Sequence, residues 1–437
     1  ATTGWGLYPT IAAAVQRAYS PRDLIESAAT PVLPQGNCRS YGDACLYERV
    51  VSTLPLKNLL DFDPERGLLR AQAGTTLEKI IRFALPRGFF LPVTPGTKFP
   101  TLGGCIAADV HGKNHHGEGS IATFIEELDM VLADGSPIRC SRKQHPELFW
   151  ATLGGMGLTG FVYSAVLRLK KVSSDYVKQR SIKSANFAET CRIFAETQHQ
   201  YTYSVAWIDS LKKGKNLGRS LVLLGEHADA EEIGARNPFA LHNDGRLSAP
   251  FLPSFALNTR SMQAFNTLFY HRQLKRSVDA IIHYDKYFYP LDAIQHWNRI
   301  YGRKGFLQYQ VVVPFADGEA IMADVLDRIA RRGIASLLTV LKTFGAQNEG
   351  LLSFPIAGYT LALDIPLSDS SIVPFMRQLN KTIVEANGRI YLAKDAILEQ
   401  EDFASMYPRL EKFKEIKRHY DPEHRFRSSQ SDRLGIT

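Results

Sequence analysis

The chain has 437 residues, of which 45% are hydrophobic and 22% charged, and its formal net charge at pH 7 is +8. That length exceeds what one hydrophobic core usually holds, so we expect a globular protein of two domains. No apolar run of about 18 residues occurs and no secretory leader opens the chain, which predicts neither a membrane span nor a secretory signal. The positive charge is scattered and no nucleic-acid-binding motif accompanies it, so nucleic acid is not an expected partner, whereas an anionic membrane surface fits the charge.

The cysteines indicate the redox setting. Their number is odd and none belongs to a C-x-x-C pair. This pattern predicts reduced thiols in a cytoplasmic protein and disfavours a zinc ribbon or a disulfide scaffold. The five are Cys38, Cys45, Cys105, Cys140 and Cys191.

The first 175 residues alternate short apolar runs with turn residues, which is typical of strands, hairpins and short helices. In chain order the predicted elements are a helical lead-in over residues 11–30, a strand beginning at Val32 and Leu33, a strand over Leu69–Gly74, a helix capped by Thr75 and Thr76 and ending near Leu85, a hairpin over Leu128–Cys140 turned by Asp134-Gly135, and a strand over Phe161–Leu169.

Two segments of this part are rich in glycine and polar side chains. Residues 36–42 read G-N-C-R-S-Y-G, and residues 94–120 combine eight glycines or prolines with a basic cluster that includes His111 and Lys113. Glycine lets a backbone approach a ligand closely, and basic side chains beside it favour an anionic ligand. A glycine-rich turn with surface histidines is the alternative. A metal site is disfavoured, because His111, His115 and His116 lie in one short segment without a clear ligand geometry.

A third glycine cluster, Gly155–Gly160, matches G-x-G-x-x-G. A dinucleotide-binding fingerprint follows a strand and opens a helix. Here the cluster follows a helix-like segment, His145–Thr152, and leads into the strand that begins at Phe161. The order is reversed, so the sequence does not predict a Rossmann fold.

The second part of the chain predicts an antiparallel sheet. Residues 231–275 have weak periodicity and are interpreted as a lid, an apolar lip or an irregular connection. The segments that follow have the order β-α-β-β-α-β, which places helices on one face of a sheet. The predicted elements are strands over Tyr203–Ile208 and Ser220–Leu224, then strands over Phe306–Val313, Ser336–Phe344, Tyr359–Ile365 and Arg389–Ala393, with helices over Gly318–Arg331 and Ser371–Ala386.

One face of that sheet is expected to hold a ligand. Side chains alternate along a strand, so Gln308 and Gln310 share a face. Two amides among apolar neighbours need polar partners, and Lys342 and Lys394 could join them.

Motifs across the whole chain resemble the decaprenylphosphoryl-β-D-ribose 2′-oxidases, FAD enzymes of the vanillyl-alcohol-oxidase superfamily. The motifs occur in family order in both halves. They are T-G-W-G at Thr3–Gly6, R-S-Y-G-D at Arg39–Asp43, P-G-T at Pro95–Thr97, H-G-K-N-H-H at His111–His116, F-W-A-T-L-G-G-M-G-L-T-G at Phe149–Gly160, W-N-R-I-Y-G at Trp297–Gly302, F-L-Q-Y-Q at Phe306–Gln310, S-F-P-I at Ser353–Ile356 and Y-L-A-K-D at Tyr391–Asp395.

The resemblance implies an α+β fold of two domains: a PCMH-type FAD-binding domain over residues 1–175, completed by residues 390–437, and a substrate domain over residues 176–389 with an antiparallel sheet covered by helices on one face. It implies noncovalent FAD, because members that bind it covalently often use a histidine where this chain has Arg39. The implied cofactor-binding residues are Gly36, Asn37, Cys38, Arg39, Ser40, Tyr41, Pro95, Gly96, Thr97, Thr101, Gly103, Gly104, Ala107, Ala108, His111, Asn114, Gly157, Gly160, Tyr391 and Lys394.

The resemblance also implies a reaction: oxidation of the 2′-hydroxyl of a polyprenyl-phosphate-linked sugar to a ketone, the first half of an epimerisation. Lys394 would be catalytic, and a short-chain NAD(P)H-dependent reductase would be the partner. Because the substrate is a lipid, peripheral contact of a bacterial cytoplasmic protein with the inner membrane is expected. The alternatives are a soluble sugar, alditol or aldonolactone oxidase and a non-catalytic flavin-binding scaffold. The implied substrate-binding residues are Tyr41, His111, Lys113, Phe288, Gln308, Gln310 and Lys342.

Two departures from the family pattern concern the substrate pocket. A pocket tyrosine of the family is replaced by Phe288, and the cysteine that covalent nitroaromatic inhibitors attack in the mycobacterial enzymes is replaced by Ala362. The resemblance therefore implies resistance to that inhibitor class. It leaves the identity of the sugar open.

Overall fold

The first part of the chain contains small sheets and short helices. The computed structural model describes residues 2–239, 247–253 and 257–437. The elements up to residue 171 are strands β1 Thr2–Thr3, β2 Thr10–Ile11 and β3 Ala14–Arg17, helix α1 Pro21–Ser27, strands β4 Leu33–Gln35, β5 Arg49–Ser52, β6 Leu59–Asp63 and β7 Leu68–Gln72, helix α2 Leu77–Ala84, strand β8 Phe89–Phe90, helices α3 Leu102–Ala107 and α4 His115–Glu118, strands β9 Ile125–Val131 and β10 Pro137–Ser141, helix α5 Pro146–Thr152, and strands β11 Phe161–Arg168 and β12 Lys170–Lys171.

Two sheets organise this part. An antiparallel sheet has the strand order β10-β9-β11-β7-β6, and a parallel sheet has the order β3-β5-β4. The hairpin β9–β10 and the helix α2 are confirmed; the Thr76 hydroxyl accepts a hydrogen bond from the backbone N–H of Lys79, as an N-cap should. The single helix over residues 11–30 is wrong, because Ala14–Arg17 pairs with β5 as a strand and the helix begins only at Pro21, capped by Ser20.

The second part is dominated by one large sheet. Its elements are β13 Tyr176–Ser184, α6 Phe187–Thr197, β14 Tyr203–Ile208, β15 Ser220–His227, β16 Leu247–Ser248, α7 Thr259–His271, β17 Ser277–His283, α8 Tyr284–Phe288, β18 Ile294–Gln295, β19 Phe306–Pro314, α9 Phe315–Arg332, β20 Thr339–Phe344, β21 Gly358–Pro366, α10 Ile372–Glu385 and β22 Arg389–Ile390, followed by α11 Gln400–Met406, α12 Leu410–Tyr420 and α13 Ser429–Arg433.

The large sheet is antiparallel throughout, with the strand order β17-β13-β15-β14-β20-β21-β19-β22. The predicted β-α-β-β-α-β unit from residue 306 is confirmed. A second unit with the same sheet order precedes it, formed by β13, α6, β14, β15, α7 and β17. The two units join at β14 and β20, where Ala206 lies opposite Leu341 and Trp207 opposite Val340.

The two faces of this sheet differ. Helices α6, α9 and α10 pack their apolar side chains on one face and form the largest hydrophobic core with it. The α+β class, with helices covering one face of an antiparallel sheet, is confirmed. The opposite face turns its polar side chains toward the glycine loops of the first part, and this is where the candidate site lies.

Three other expectations meet different outcomes. Residues 259–271 form the helix α7, so the irregular interpretation of 231–275 is wrong there; residues 240–246 and 254–256 of that interpretation lie outside the described residues. The predicted strand Arg389–Ala393 ends at Ile390, and residues 392–394 form one turn of 3₁₀ helix. Among the described residues, no helix combines the length and apolar character needed to cross a membrane.

Candidate active site

A large cavity separates the glycine loops from the polar face of the large sheet. It collects residues from both parts of the chain, and of the predicted cofactor and substrate residues only Asn114 does not line it. Those that do are Gly36, Asn37, Cys38, Arg39, Ser40, Tyr41, Pro95, Gly96, Thr97, Thr101, Gly103, Gly104, Ala107, Ala108, His111, Lys113, Gly157, Gly160, Phe288, Gln308, Gln310, Lys342, Tyr391 and Lys394.

The first glycine loop offers a row of backbone donors. Within the described residues, the N–H groups of residues 36–40 have no protein acceptor. Cys38 in the middle of this row has a φ of 47°, in the left-handed region. Successive free N–H groups around such a residue form a concave anion-binding nest. The Asn37 side chain holds the loop in place by donating to the Phe99 carbonyl at 2.9 Å.

The second glycine loop faces the first across the cavity. Its backbone is fixed by the second part of the chain, because the Lys98 N–H donates to Asp292 at 2.9 Å and the Lys98 ammonium pairs with Asp285. A Cβ added at Gly96 would meet no atom within 4 Å and would project into open space. Thr101 accepts a hydrogen bond from Gly104 and begins α3, which forms the cavity wall.

The G-x-G-x-x-G segment is a wall of the same cavity. It lies between α5 and β11, the order that the sequence indicated, and Gly157 and Gly160 line the site. A buried ion pair holds it to the C-terminal helices: the Lys417 ammonium pairs with Asp421 at 2.6 Å and donates to the Leu158 carbonyl at 2.9 Å.

Three lysines enter the cavity from three different elements. Burial lowers the pKa of Lys113 to about 7 and, with help from the neighbouring lysine charges, the pKa of Lys342 to about 7. Burial also lowers the pKa of Lys394 to about 8, although the Asp364 carboxylate opposes the shift. Clustered cations with few carboxylates nearby favour an anionic ligand.

Of the three ammonium groups, that of Lys113 has a hydrogen-bond acceptor within the part of the chain that the structure describes. It donates to the Tyr287 carbonyl and lies 4.5 Å from the centroid of the Tyr287 ring. Phe288, next along the chain, lies beneath it at 5.3 Å. Phe288, which replaces a tyrosine of the family pattern, therefore contributes an apolar wall to the cavity.

Lys394 is held by its neighbours in the chain. Asp395 pairs with Arg433 at 2.8 Å, so it is not the partner of Lys394. Arg433 also binds Asp43 at 2.7 Å, and the Tyr41 N–H donates to the Ala393 carbonyl at 2.9 Å. This clamp brings the Lys394 ammonium to 5.6 Å from the Tyr41 ring centroid.

The sheet face contributes amides to the cavity, and the loop between α3 and α4 contributes a neutral histidine, His111. Gln310 lies 2.9 Å from Nε2 of His111 and 3.2 Å from the Thr360 hydroxyl. Burial holds the pKa of His111 well below its usual value, so the ring is neutral. With the Gln310 NH₂ turned toward Nε2, the ring carries its proton on Nδ1, which is buried and has no partner among the described residues.

Residues 9–141 match the FAD binding domain family, and residues 362–434 match the D-arabinono-1,4-lactone oxidase family. The decaprenylphosphoryl-beta-D-ribose oxidase of Mycolicibacterium smegmatis is 32% identical over 99% of this chain and 97% of its own length. The chain belongs to the decaprenylphosphoryl-β-D-ribose oxidase family. An uncharacterized protein in the mprA 5′ region of Streptomyces coelicolor, 30% identical, covers 83% of the chain with its whole length. The human Delta(24)-sterol reductase is 28% identical over 34% of the chain and 29% of its own length.

As a member of this oxidase family, the protein is an FAD-dependent oxidoreductase acting on a CH–OH group. The cavity fits FAD on its own chemistry. The nest at residues 36–40 offers donors for a pyrophosphate, and the open space at Gly96 leaves room for a ligand against the backbone. The Nε of Arg39 is buried and has no partner among residues 2–239, 247–253 and 257–437, and its guanidinium stacks on Trp5 at 4.0 Å, so it is a further cation at that end of the cavity.

Asn114 has a structural position instead of the predicted cofactor contact. Its side chain donates to the Pro92 carbonyl at 2.7 Å and to Glu118 at 2.6 Å, which directs it away from the cavity. His115 and His116 contact backbone groups: Nδ1 of His115 accepts a hydrogen bond from the Gly345 N–H at 3.2 Å, and Nε2 of His116 lies 3.0 Å from the Tyr201 carbonyl.

Sequence reasoning missed residues that act behind the cavity wall. Asp364 binds Gln308, Arg433 clamps Asp43 and Asp395, and Asp292 fixes the second glycine loop. One signal was available for Asp364: a carboxylate in an apolar strand needs buried partners, and Gln308 is a polar residue of the same predicted sheet.

Proposed function

We propose that this protein oxidises the 2′-hydroxyl of a polyprenyl-phosphate-linked sugar, such as decaprenylphosphoryl-ribose, to the keto sugar. The observation that carries the proposal is the convergence of Lys113, Lys342 and Lys394 on the cavity that also contains the two glycine loops. A flavin site alone needs one cation near the developing charge, whereas three cations and two amides also fit a phosphorylated, hydroxyl-rich substrate.

In this proposal the chain divides into an FAD-binding domain, residues 1–175 with 390–437, and a substrate domain, residues 176–389. FAD is held noncovalently, because Arg39 stands at the first-loop position and its guanidinium is stacked between Trp5 and Phe99. When bound, FAD supplies the two-electron acceptor for the hydride that leaves the carbinol carbon. Residues 36–40 and the loop at Gly96 bind its phosphates.

Lys394 is the proposed catalytic residue. Its ammonium stabilises the negative charge that develops during hydride transfer and donates a hydrogen bond to the reacting oxygen, while the hydroxyl proton is released to solvent. The ion pair between Asp395 and Arg433 fixes the backbone next to Lys394. Because Asp395 is bound to Arg433, the Lys394 ammonium lies in the cavity without an ion-pair partner among the described residues.

Lys113 and Lys342 are the proposed phosphate ligands, and Gln308, Gln310, Tyr41, Phe288 and His111 line the sugar pocket. The Lys113 ammonium already donates to the Tyr287 carbonyl, which orients it and leaves its remaining N–H groups for a ligand. The neutral His111 presents Nδ1–H as a donor to a sugar oxygen.

The ketone product implies a partner, a short-chain NAD(P)H-dependent reductase that returns it as the epimeric alcohol. The lipid tail implies peripheral contact with the inner membrane of a bacterial cell. Helix α7 supports that contact: Phe269 packs on Trp207 at 4.6 Å, while Leu268 is 73% exposed on the outside of the helix. Alternation along β14 puts Trp207 on the same face as Val205, which lines the cavity.

A second candidate is a soluble aldonolactone oxidase, favoured by the match of residues 362–434 to the D-arabinono-1,4-lactone oxidase family. That match contains Lys394 but not the lysines at 113 and 342. The two candidates differ in whether the substrate carries a phosphate and a lipid.

The test is anaerobic reduction of the yellow holoprotein, followed by flavin absorbance. We expect a short-chain prenylphosphoryl ribose to bleach the flavin, and D-arabinono-1,4-lactone to leave it oxidised; the reverse result favours the second candidate. Lys394→Ala should retain FAD and lose bleaching by at least a hundredfold. If Lys394→Ala reduces at the wild-type rate with FAD bound, Lys394 is not the catalytic residue.

A further inference from the structure

Behind the cavity wall lies a carboxylate that the reaction as described does not use. Asp364 is fully buried on β21, directly opposite Gln308 of β19 in the antiparallel register. Its Oδ1 accepts a hydrogen bond from Nε2 of Gln308 at 2.7 Å, and its Oδ2 accepts one from the Tyr301 hydroxyl at 2.7 Å. Burial raises its pKa to about 6, so at neutral pH it remains an anion that can only accept hydrogen bonds.

An acceptor-only partner decides which way the Gln308 amide points. A glutamine amide can turn either its NH₂ donor or its carbonyl acceptor toward a neighbour. An ionised carboxylate can only accept hydrogen bonds, so the NH₂ must face it. The carbonyl oxygen of Gln308 is consequently left over, and it is buried without a partner among the described residues. Gln308 lines the cavity, whereas Asp364 does not.

Gln310, two residues along the same strand, is arranged differently. Its amide is paired with His111 and Thr360, groups that can act as donor or acceptor. Asp364 therefore fixes the orientation of the Gln308 amide, whereas the partners of Gln310 allow either orientation of its amide. A buried carbonyl oxygen without a hydrogen bond costs about 1–3 kcal/mol, and a ligand donor would remove that cost.

We propose that Asp364 is a positioning residue that holds the Gln308 carbonyl as a dedicated acceptor for one hydroxyl of the sugar. The assignment of the donor to a sugar hydroxyl rests on the proposed function; the orientation of Gln308 does not. The pocket thereby selects a sugar whose hydroxyl can donate at this point, and it rejects an acceptor, such as an ether or a carbonyl oxygen, in the same place.

Three variants separate orientation from packing. Gln308→Met keeps the side-chain length and removes the acceptor. Asp364→Leu keeps approximate shape and removes the group that orients Gln308. Asp364→Asn retains an acceptor for Gln308 and can turn its NH₂ to the Tyr301 hydroxyl, so it should rescue the interaction.

The measurement is kcat and KM of the holoenzyme with a short-chain prenylphosphoryl ribose, beside FAD content and melting temperature. We expect Gln308→Met and Asp364→Leu each to raise KM about tenfold and to leave kcat within about twofold of wild type. This pattern is expected because the lost contact stabilises the bound substrate and the transition state equally. Asp364→Asn should stay within about threefold of wild type. In the Gln308→Met background, Asp364→Leu should change KM less than twofold.

The proposal is overturned if Gln308→Met leaves KM unchanged, a result that does not depend on whether Asp364→Leu folds. It is also overturned if Asp364→Leu raises KM equally with and without Gln308, or if the variants lose FAD affinity and not substrate affinity. A wild-type enzyme that does not oxidise the prenylphosphoryl ribose would instead refute the proposed function. The same variants would then be measured with D-arabinono-1,4-lactone, where an unchanged KM overturns the role of Asp364.

Discussion

At the scale of single residues, the cavity is lined by three lysines whose charges change with pH near neutrality. Burial brings the pKa of Lys113 and Lys342 to about 7 and that of Lys394 to about 8. A lysine whose pKa is lowered loses its charge as pH rises through that value. His111 stays neutral in this range, and the buried Asp364 is the carboxylate that opposes the loss at Lys394.

We therefore expect two pH effects with different thresholds. KM for the prenylphosphoryl sugar should rise several-fold between pH 7 and 9, because Lys113 and Lys342 lose the charges that attract phosphate. The value of kcat should fall above about pH 8, as Lys394 loses its proton. Steady-state kinetics from pH 6 to 9.5 measures both, with a phosphate-free sugar as the control for KM. A KM that stays constant across this range contradicts the phosphate role.

Ala362 gives a second residue-scale prediction, on inhibition. It lines the cavity on β21 opposite Gln310, where the mycobacterial pattern has the reactive cysteine. We expect intact-mass spectrometry to find no adduct after incubation of the holoenzyme with a covalent nitroaromatic inhibitor and substrate. Ala362→Cys, which restores the thiol at the same place, should gain one adduct. An adduct on the wild-type protein would show that another of its thiols, such as Cys38, is reached.

At the scale of elements, the segment that contains Lys394 is held by Arg433 of the helix α13. Arg433 bridges Asp43 and Asp395, the carboxylates that follow the first glycine loop and Lys394. A Cβ at Gly42, beside Asp43, would overlap the Asp395 carbonyl, so the two segments pack backbone against backbone. Removing the cation would leave two buried carboxylates without compensation.

Arg433→Met should lower the free energy of unfolding by about 3 kcal/mol, near the lower end for a buried ion pair because the guanidinium is partly exposed. The measurement is the melting temperature together with FAD retention, which should fall as the Lys394 segment loosens. Arg22→Ala, which breaks an exposed pair with Glu26 on α1, is the matched control and should change neither. Equal melting temperatures for the two variants would contradict the clamp.

Elements were predictable where their signals are local. The hairpin at Asp134-Gly135 and the β-α-β-β-α-β unit follow from alternation and turn residues over short windows. The strand Ala14–Arg17 was not, because its four residues are exposed and become a strand only by pairing with β5. Helix α7 was missed because its apolar spacing is weak, although Asn258 caps it.

The same reasoning applies to the site. The sequence could indicate the glycine loops and Lys394 as site candidates because each lies in a motif of consecutive residues. The Arg433 bridge joins positions 390 residues apart, and the pairing of Asp364 with Gln308 spans 56 residues, so neither has a local signal. The position of Asn114 inside a recognised motif suggested a cofactor contact, but its side chain donates hydrogen bonds to the Pro92 carbonyl and to Glu118.

At the scale of the whole molecule, α7 and the residues that follow it present strongly exposed apolar side chains. Leu268 on α7 and Leu274 beyond its end are 73% and 90% exposed. Exposed basic residues, Arg260, Arg272 and Lys275, accompany them. An apolar surface with basic neighbours is the combination that binds an anionic bilayer.

We expect the holoprotein to float with anionic phospholipid vesicles and to bind zwitterionic vesicles at least tenfold more weakly. Leu268→Glu combined with Leu274→Glu should reduce the anionic binding about tenfold or more, since it removes apolar burial and adds repulsion. Leu60→Glu, an exposed position on β6 in the first part of the chain, is the control and should bind like wild type. Turnover of the short-chain prenylphosphoryl sugar, which needs no bilayer, should be equal in all three proteins. If the α7 variant binds vesicles as wild type does, the membrane is met by another face.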